Sequence, residues 1–253
     1  MTRSIRLEVD VPGTPEEVWA TVATGAGISS WFVPSEVEER EGGAIGMHFG
    51  EGMDETATVT AWEPPRRFAY GTGAGTERAL DYEWLVEPGA EEGTARVALI
   101  NSGFGEGAEW DRDYDGMAGG WPLFLENLRL VRTHFPGQVC ASVPVSAPVP
   151  GAPPEAFAAV LAALSAPVPV AGDPISLPAL GVEGRAERVA PTAATLLVER
   201  PAPGVVFVAA EGSASPAFVS LYGYFFGPES GAVAEQAAAR WTAWLAQTFP
   251  PSG

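Results

Sequence analysis

Between Glu109 and Pro136 the chain reads EWDRDYDGMAGGWPLFLENLRLVRTHFP, and this stretch limits the possible fold more than any other. Tyr114, Met117, Trp121, Phe124, Leu125, Leu128, Val131 and Phe135 recur at three- and four-residue steps, which sets them along one side of a 3.6-period helix. Asp113, Glu126, Arg129 and Arg132 fall on the opposite, solvated side. Acidic residues lie early and Arg129 and Arg132 late, as the helix macrodipole favours. Gly119, Gly120 and Pro122 interrupt the pattern and predict a kink or a fresh helix start near Trp121. Pro136-Gly137 ends it. A helix with so large an aromatic stripe has to lie against a broad surface.

The residues before it supply one. Ser4 to Val11 alternates, with Ile5, Leu7, Val9 and Val11 on one face, and reads as a half-buried strand. Thr14-Pro15-Glu16-Glu17 is a capping box with proline at the first helical position, opening a helix whose buried face is Val18, Trp19 and Val22. Gly25 and Gly27 end that helix, and a short second one is expected over Ile28 to Phe32. Strands follow at Ser35–Glu39, Ala44–Phe49, Glu55–Glu63, Arg67–Tyr70, Leu80–Glu87 and Thr94–Asn101. Gly42-Gly43, Gly50-Glu51-Gly52, Pro64-Pro65, Gly71–Gly75 and Pro88-Gly89 separate them. The expected class is α+β: a curved antiparallel sheet wrapped around a long C-terminal helix.

This order, together with particular residues, resembles the helix-grip fold of the START/Bet v 1-like (SRPBCC) superfamily. More narrowly it resembles the domain named after the activator of Hsp90 ATPase. The residues that carry the likeness are V-x-x-x-P-x-E-V-W from Val11 to Trp19, Trp31-Phe32, ETATVTAWEPPRRFAY from Glu55 to Tyr70, and Gly120-Trp121 inside the last helix. The likeness covers about residues 4–136 and implies a binding cavity between sheet and helix. It also implies a small apolar or amphipathic ligand, or a chaperone or client protein, as partner. The co-chaperone's Asn-x-Asn-x-Trp-His-Trp motif and separate N-terminal domain are not in this sequence, which counts against ATPase stimulation. Folds of this kind host many functions, so the likeness speaks to architecture first.

The second half repeats the first in outline. Val149-Pro-Gly-Ala-Pro-Pro-Glu-Ala-Phe157-Ala-Ala-Val160 matches Val11 to Val22 position for position, with Phe157 where Trp19 stands. Val219 to Gly227 echoes Val97 to Gly105, and Ala232 to Pro250, with Trp241, Trp244 and Leu245 inward, echoes the run ending Phe135-Pro136. The helix starts lie 138 residues apart (12 to 150) but the Phe-Pro ends only 114 (135 to 249), so about 24 residues are missing from the second copy. A lost hairpin and loop would account for them. The expected organisation is a helix-grip domain at 1–137 and a shortened, degenerate copy at 138–253, entered through a linker or edge strand at Gln138 to Pro150.

Charge and cysteine content close off several classes. A net charge of −18, with all 14 basic residues arginine, argues against nucleic acid or an anionic membrane as partner. The surplus sits mainly before Gly137, where 24 acids face 10 arginines. Arginine-only usage with 30 Gly and 24 Pro fits the codon bias of a GC-rich, bacterial genome. Cys140 stands alone, which excludes an intramolecular disulfide and a cysteine metal cluster. The alternating N-terminus is no signal core and Ala156–Ala166 is too short to span a bilayer, so a soluble cytoplasmic protein is expected. Oligomeric state is open.

The residues expected to line a cavity are Tyr114, Met117 and Trp121 from the helix and Tyr82, Trp84, Val86, Val97, Leu99 and Asn101 from the sheet. Plain core packing is the alternative for each. His48, on the face of Ala44 and Gly46, is either a general base or polar handle in the cavity or an exposed strand histidine. His134 suits a charge–dipole role at a helix end. Arg66-Arg67 could receive an anion or form a solvated turn. No histidine pair has metal-ligand spacing and no nucleophile elbow or phosphate loop is present, so neither metal nor cofactor is expected. The expected function is non-catalytic binding. The alternatives are a polyketide cyclase or dehydratase using the cavity, with His48 or a tyrosine moving protons, and a pure interaction module.

Overall fold

The computed structural model of the chain describes residues 3–50, 52–73, 79–166, 168–212 and 215–250. The chain divides into two compact units, Met1–Pro136 and Gly137–Gly253. Glu51 and the end of the Gly71–Gly75 stretch lie outside the described residues.

The first unit runs β1 (Arg3–Pro12), α1 (Pro15–Ala23), α2 (Gly25–Ser29), β2 (Ser35–Val37), β3 (Ala44–His48), β4 (Asp54–Glu63), β5 (Arg67–Thr72), β6 (Leu80–Pro88), β7 (Thr94–Phe104) and α3 (Ala108–His134). Its seven strands form one antiparallel sheet in the order β1-β7-β6-β5-β4-β3-β2. Thr14 caps α1 as its sequence dictates: its hydroxyl accepts from Glu17 N at 3.3 Å, and Glu17 Oε2 accepts from Thr14 N at 3.1 Å.

Three expectations are corrected here. The second short helix begins at Gly25, not Ile28. Thr24 Oγ1 donates to Ala20 O at 2.7 Å and accepts from Gly27 N at 3.0 Å, so one threonine closes α1 and opens α2. Trp31 and Phe32 follow that helix and do not belong to it. Second, α3 does not restart at Trp121; it is one helix from Ala108 to His134 with Pro122 inside it. A proline in a helix interior costs about 3 kcal/mol, and the burial of Trp121, Phe124 and Leu125 around it offsets that. Third, Arg132 is not on a solvated face: its side chain is 7% exposed. Its Nε donates to Pro12 O at 3.0 Å and a terminal nitrogen to Glu17 Oε2 at 3.1 Å. Acceptors from the β1–α1 turn and from α1 therefore satisfy a buried guanidinium.

A second tie fixes the same half of α3. Asn127 Nδ2 donates to the Trp31 carbonyl at 2.7 Å, and Trp31 Nε1 donates to Thr21 O at 3.0 Å. The C-terminal half of α3 is thus bound to α1 and to the segment after α2. Its N-terminal half meets the sheet mainly through aromatic side chains.

The second unit runs β8 (Cys140–Val149), α4 (Pro153–Ala163), β9 (Pro174–Leu177), β10 (Val182–Ala190), β11 (Ala193–Arg200), β12 (Gly204–Glu211), β13 (Ala217–Phe226) and α5 (Ser230–Thr248). Its sheet order is β8-β13-β12-β11-β10-β9. The proline-bearing stretch after Gln138 is an edge strand, where missing N–H donors are tolerated. Only half of the capping box survives at α4: Ala152 N donates to Glu155 Oε2 at 3.1 Å, while the Ala152 side chain has nothing to accept with.

The two closing ladders share a register. Val9 faces Val97 and Leu7 faces Leu99 in the first sheet; Ala147 faces Val219 and Val145 faces Leu221 in the second. These are the same pairs that the sequence echoes align. The second unit is therefore a smaller helix grip, and what it lacks is not a hairpin. Among its described residues there is no counterpart of α2 or of edge strand β2, and its closing helix has 19 residues where α3 has 27. Two helical turns are gone from the element that grips.

Candidate ligand site

Strand alternation decides which side chains of the first unit face α3. The register places Ile5, Asn101, Tyr82, Tyr70 and Val59 on one rung across five strands. Leu7, Leu99, Trp84 and Phe68 form the next rung. Tyr70 and Tyr82 stack with ring centres 4.9 Å apart. From the helix, Trp121 enters an aromatic box, with ring centres 5.1 Å from Phe32, 5.6 Å from Trp84, 6.0 Å from Tyr82 and 6.3 Å from Phe124. The Tyr82 hydroxyl lies 3.8 Å from Met117 Sδ. The structure thus gathers Tyr82, Trp84, Asn101, Met117 and Trp121 in one place.

Leu99 sits beside this group as the strand partner of Trp84, and the remaining expected residues lie elsewhere. Val86 and Val97 pair one rung beyond Trp84–Leu99, and Val86, Val97 and Leu99 are all fully buried apolar side chains. Tyr114 packs edge-on against Phe104 at 5.1 Å and under the Arg3 guanidinium at 4.8 Å. His48 does not face α3. Its neighbours Ile45 and Met47 point inward, while its own side chain is 45% exposed with Nδ1 3.0 Å from Asp54 Oδ1. His134 occupies the last turn of α3, near Phe135. Arg67 holds Glu63 at 3.0 Å and Glu83 at 2.6 Å, so the chain's own carboxylates already fill the seat an anion would take. Burial pushes the Cys140 thiol up to about 12, which keeps it protonated and unreactive.

Two buried polar atoms in the aromatic box have no hydrogen-bond partner. Trp121 Nε1 carries a hydrogen aimed at nothing, and Asn101 Oδ1 accepts nothing, although Asn101 Nδ2 donates to Asp81 O at 3.2 Å. Trp121 is 6% exposed and Asn101 fully buried, so bulk water is not at hand. Such orphans are rare in folded proteins because each costs about 1–3 kcal/mol. One is a donor and one an acceptor, and both adjoin Tyr82: Asn101 as its strand partner, Trp121 by ring contact.

The sequence reading missed four residues that complete this polar end: Glu55, Tyr70, Thr72 and Asp113. Burial raises the titration of both tyrosine hydroxyls well above the ordinary value. For Tyr82 the nearby carboxylates of Glu55 and Asp113 add to that effect, so both hydroxyls remain protonated. Glu55 shares the inward parity of Ala57 and Val59 and stands opposite buried Met47. Its carboxyl is shifted upward by desolvation, with the Thr72 side chain opposing the shift. The signal was available: Glu55-Ala57-Val59-Ala61 alternates with threonines, so a carboxylate heads an otherwise apolar face.

A raised carboxyl lowers stability once it ionises. Below the unfolded value of about 4.5 the native state suffers no penalty; as pH rises through the higher folded value the penalty develops. Glu55→Gln should therefore raise the urea midpoint at about pH 7 and leave it nearly unchanged at about pH 4. An equal shift at both values would show that desolvation of the carboxylate is not the cause.

The model of the activator of Hsp90 ATPase homolog 1-like family matches residues 12–131, from the capping turn of α1 nearly to the end of α3. The first unit is an AHSA1-like domain. No curated protein matches the chain. Solved structures do. Protein MLL2253 from Mesorhizobium loti is 19% identical, with 53% of this chain and 98% of that one covered at a TM-score of 0.47. The Aha1 dimer from Colwellia psychrerythraea is 16% identical, with 53% and 99% covered at 0.45. DynU16, described as a putative protein in the dynemicin biosynthetic locus, is 19% identical, with 97% of each chain covered at 0.46. Among the described residues of the AHSA1-like domain and the second unit, no three His, Cys, Asp or Glu side chains are grouped to hold a metal, and no helix is long and apolar enough to cross a membrane.

Proposed function

We propose that the AHSA1-like first unit binds a small, largely apolar or aromatic molecule between α3 and the sheet, without chemistry of its own. The observation that carries this reading is the unpaired couple of Trp121 N–H and Asn101 carbonyl inside an aromatic box. A ligand hydroxyl or amide could accept from the first and donate to the second, removing both orphans while burying apolar surface on Trp84, Tyr82 and Phe32.

The second unit supports the division of labour. There the Asn101–Tyr82 pair is replaced by Gly223–Val206, and Trp84–Leu99 by Val208–Leu221. A side chain at Gly223 has no room, since a Cβ would come within 2.6 Å of the Trp241 ring. Trp241 fills that interior itself and donates Nε1–H to Leu180 O at 2.9 Å. We read this unit as a tandem copy of the first that has become structural.

The test is an NMR titration of the whole chain with 1-naphthylmethanol, the Trp121 indole signal being assigned from Trp121→Phe. Binding should move the Trp121 indole and the Asn101 side-chain amide most, and Trp121→Ala should weaken affinity more than tenfold. Saturating probe that leaves both signals in place would overturn the reading.

A further inference from the structure

We infer that the ligand of the first unit carries a protonated nitrogen, seated by Glu55 at the polar end of the aromatic box; this deepens the binding reading above and rests on it. Glu55 projects from β4 on the face that Tyr70 and Tyr82 share, and its charge is felt by both hydroxyls. The influences on its titration are burial and the Thr72 side chain, with no cation among them. No ion pair among the described residues includes it, whereas Glu83, on the outward side of β6, is held by Arg67 at 2.6 Å; the donor Glu55 does have is the neutral Thr72 side chain. The second charge near Tyr82, Asp113 on α3, is also negative. An anionic ligand would be repelled from this end and a cation attracted.

The rest of the site suits the same guest. The unpaired Asn101 Oδ1 offers an ammonium one more acceptor. Tyr82 and Trp84 each meet Trp121 edge-on, with ring centres 6.0 and 5.6 Å from it, and a cation over an aromatic face is stabilised by the ring quadrupole. A carboxylate that is partly desolvated and lacks a counter-ion is costly to keep for packing alone. A guest nitrogen supplies both the missing charge and the missing donors.

A matched pair of probes tests this by calorimetry on the full chain: 1-naphthylmethylamine, charged at neutral pH, and 1-naphthylmethanol, its neutral analogue. A charge-assisted hydrogen bond predicts a preference for the amine of about tenfold or more. Glu55→Gln should bring the two affinities together. Asp113→Asn should reduce the preference less. Lowering the pH to protonate Glu55 should erode the preference in the natural protein; Tyr70 and Tyr82, neutral throughout, will not contribute, and Asp113 is controlled by its own variant. Equal affinities in the natural protein, or a preference that survives in Glu55→Gln, overturn the inference while leaving the binding reading intact. Failure of both probes to bind overturns the two together.

Discussion

Trp241→Ala is expected to cost the second unit about 3–5 kcal/mol, most of the stability an ordinary domain possesses. The indole is fully buried against Phe225, 6.1 Å between ring centres, and lies over the bare backbone of Gly223. Truncation removes the ring, leaves the Leu180 carbonyl without its 2.9 Å donor, and opens a void that no neighbour can fill. Gly223 in particular has no side chain to move in. Urea unfolding followed by circular dichroism should show the loss, with Trp241→Phe milder because it keeps most of the volume. A loss below about 1 kcal/mol for the alanine variant would mean that the interior closes without the ring and that Trp241 does not hold it open.

Trp31→Ala should produce a loss of similar size, about 3–5 kcal/mol, in the first unit. Trp31 is 1% exposed and makes ring contacts with Phe32 at 5.7 Å and Trp84 at 5.4 Å. It also joins three elements: its indole holds the Thr21 carbonyl of α1, and its backbone carbonyl holds Asn127 of α3. The alanine variant keeps the second bond and loses the first, so α1 should loosen before α3 does. Hydrogen exchange can read this directly, as faster exchange in α1 than in the C-terminal half of α3. Uniform acceleration across both helices would show that Trp31 acts as bulk filler and not as a link.

What could be read in the sequence was whatever depends on near neighbours. The Thr14–Glu17 capping box, the alternating strands and the aromatic stripe of α3 each need only a few adjacent residues, and each formed where expected. The α+β helix-grip class followed from their order. What failed was set by details of local geometry or by partners far along the chain. Gly25 and Gly27 look like a helix end, yet Thr24 makes them a helix start, and a Cβ at Gly27 would strike the Ala20 and Thr21 carbonyls. Arg132 has the spacing of a surface residue, but its acceptors come from Pro12 and Glu17, more than a hundred positions away. Pro122 signals a break that tertiary burial overrides. For the site, Trp121, Tyr82, Trp84, Met117 and Asn101 stood out as aromatic or polar members of apolar faces. Tyr70 did not, because its stacking on Tyr82 depends on strand pairing. Glu55, though its alternation with threonines marked an inward carboxylate, shows its influence on the tyrosine hydroxyls only in the folded sheet.

Both sheets are closed by pairing their first strand with their last, β1 with β7 and β8 with β13. Asp10 and Arg96, joined across the first of these seams, are 86 residues apart. During synthesis the opening strand must therefore wait, unpaired and with its apolar side uncovered, until nearly the whole unit has left the ribosome. The same wait recurs for β8. Nascent chains stalled just before β7 should be markedly more prone to aggregate, or to engage a chaperone, than chains released a few dozen residues later.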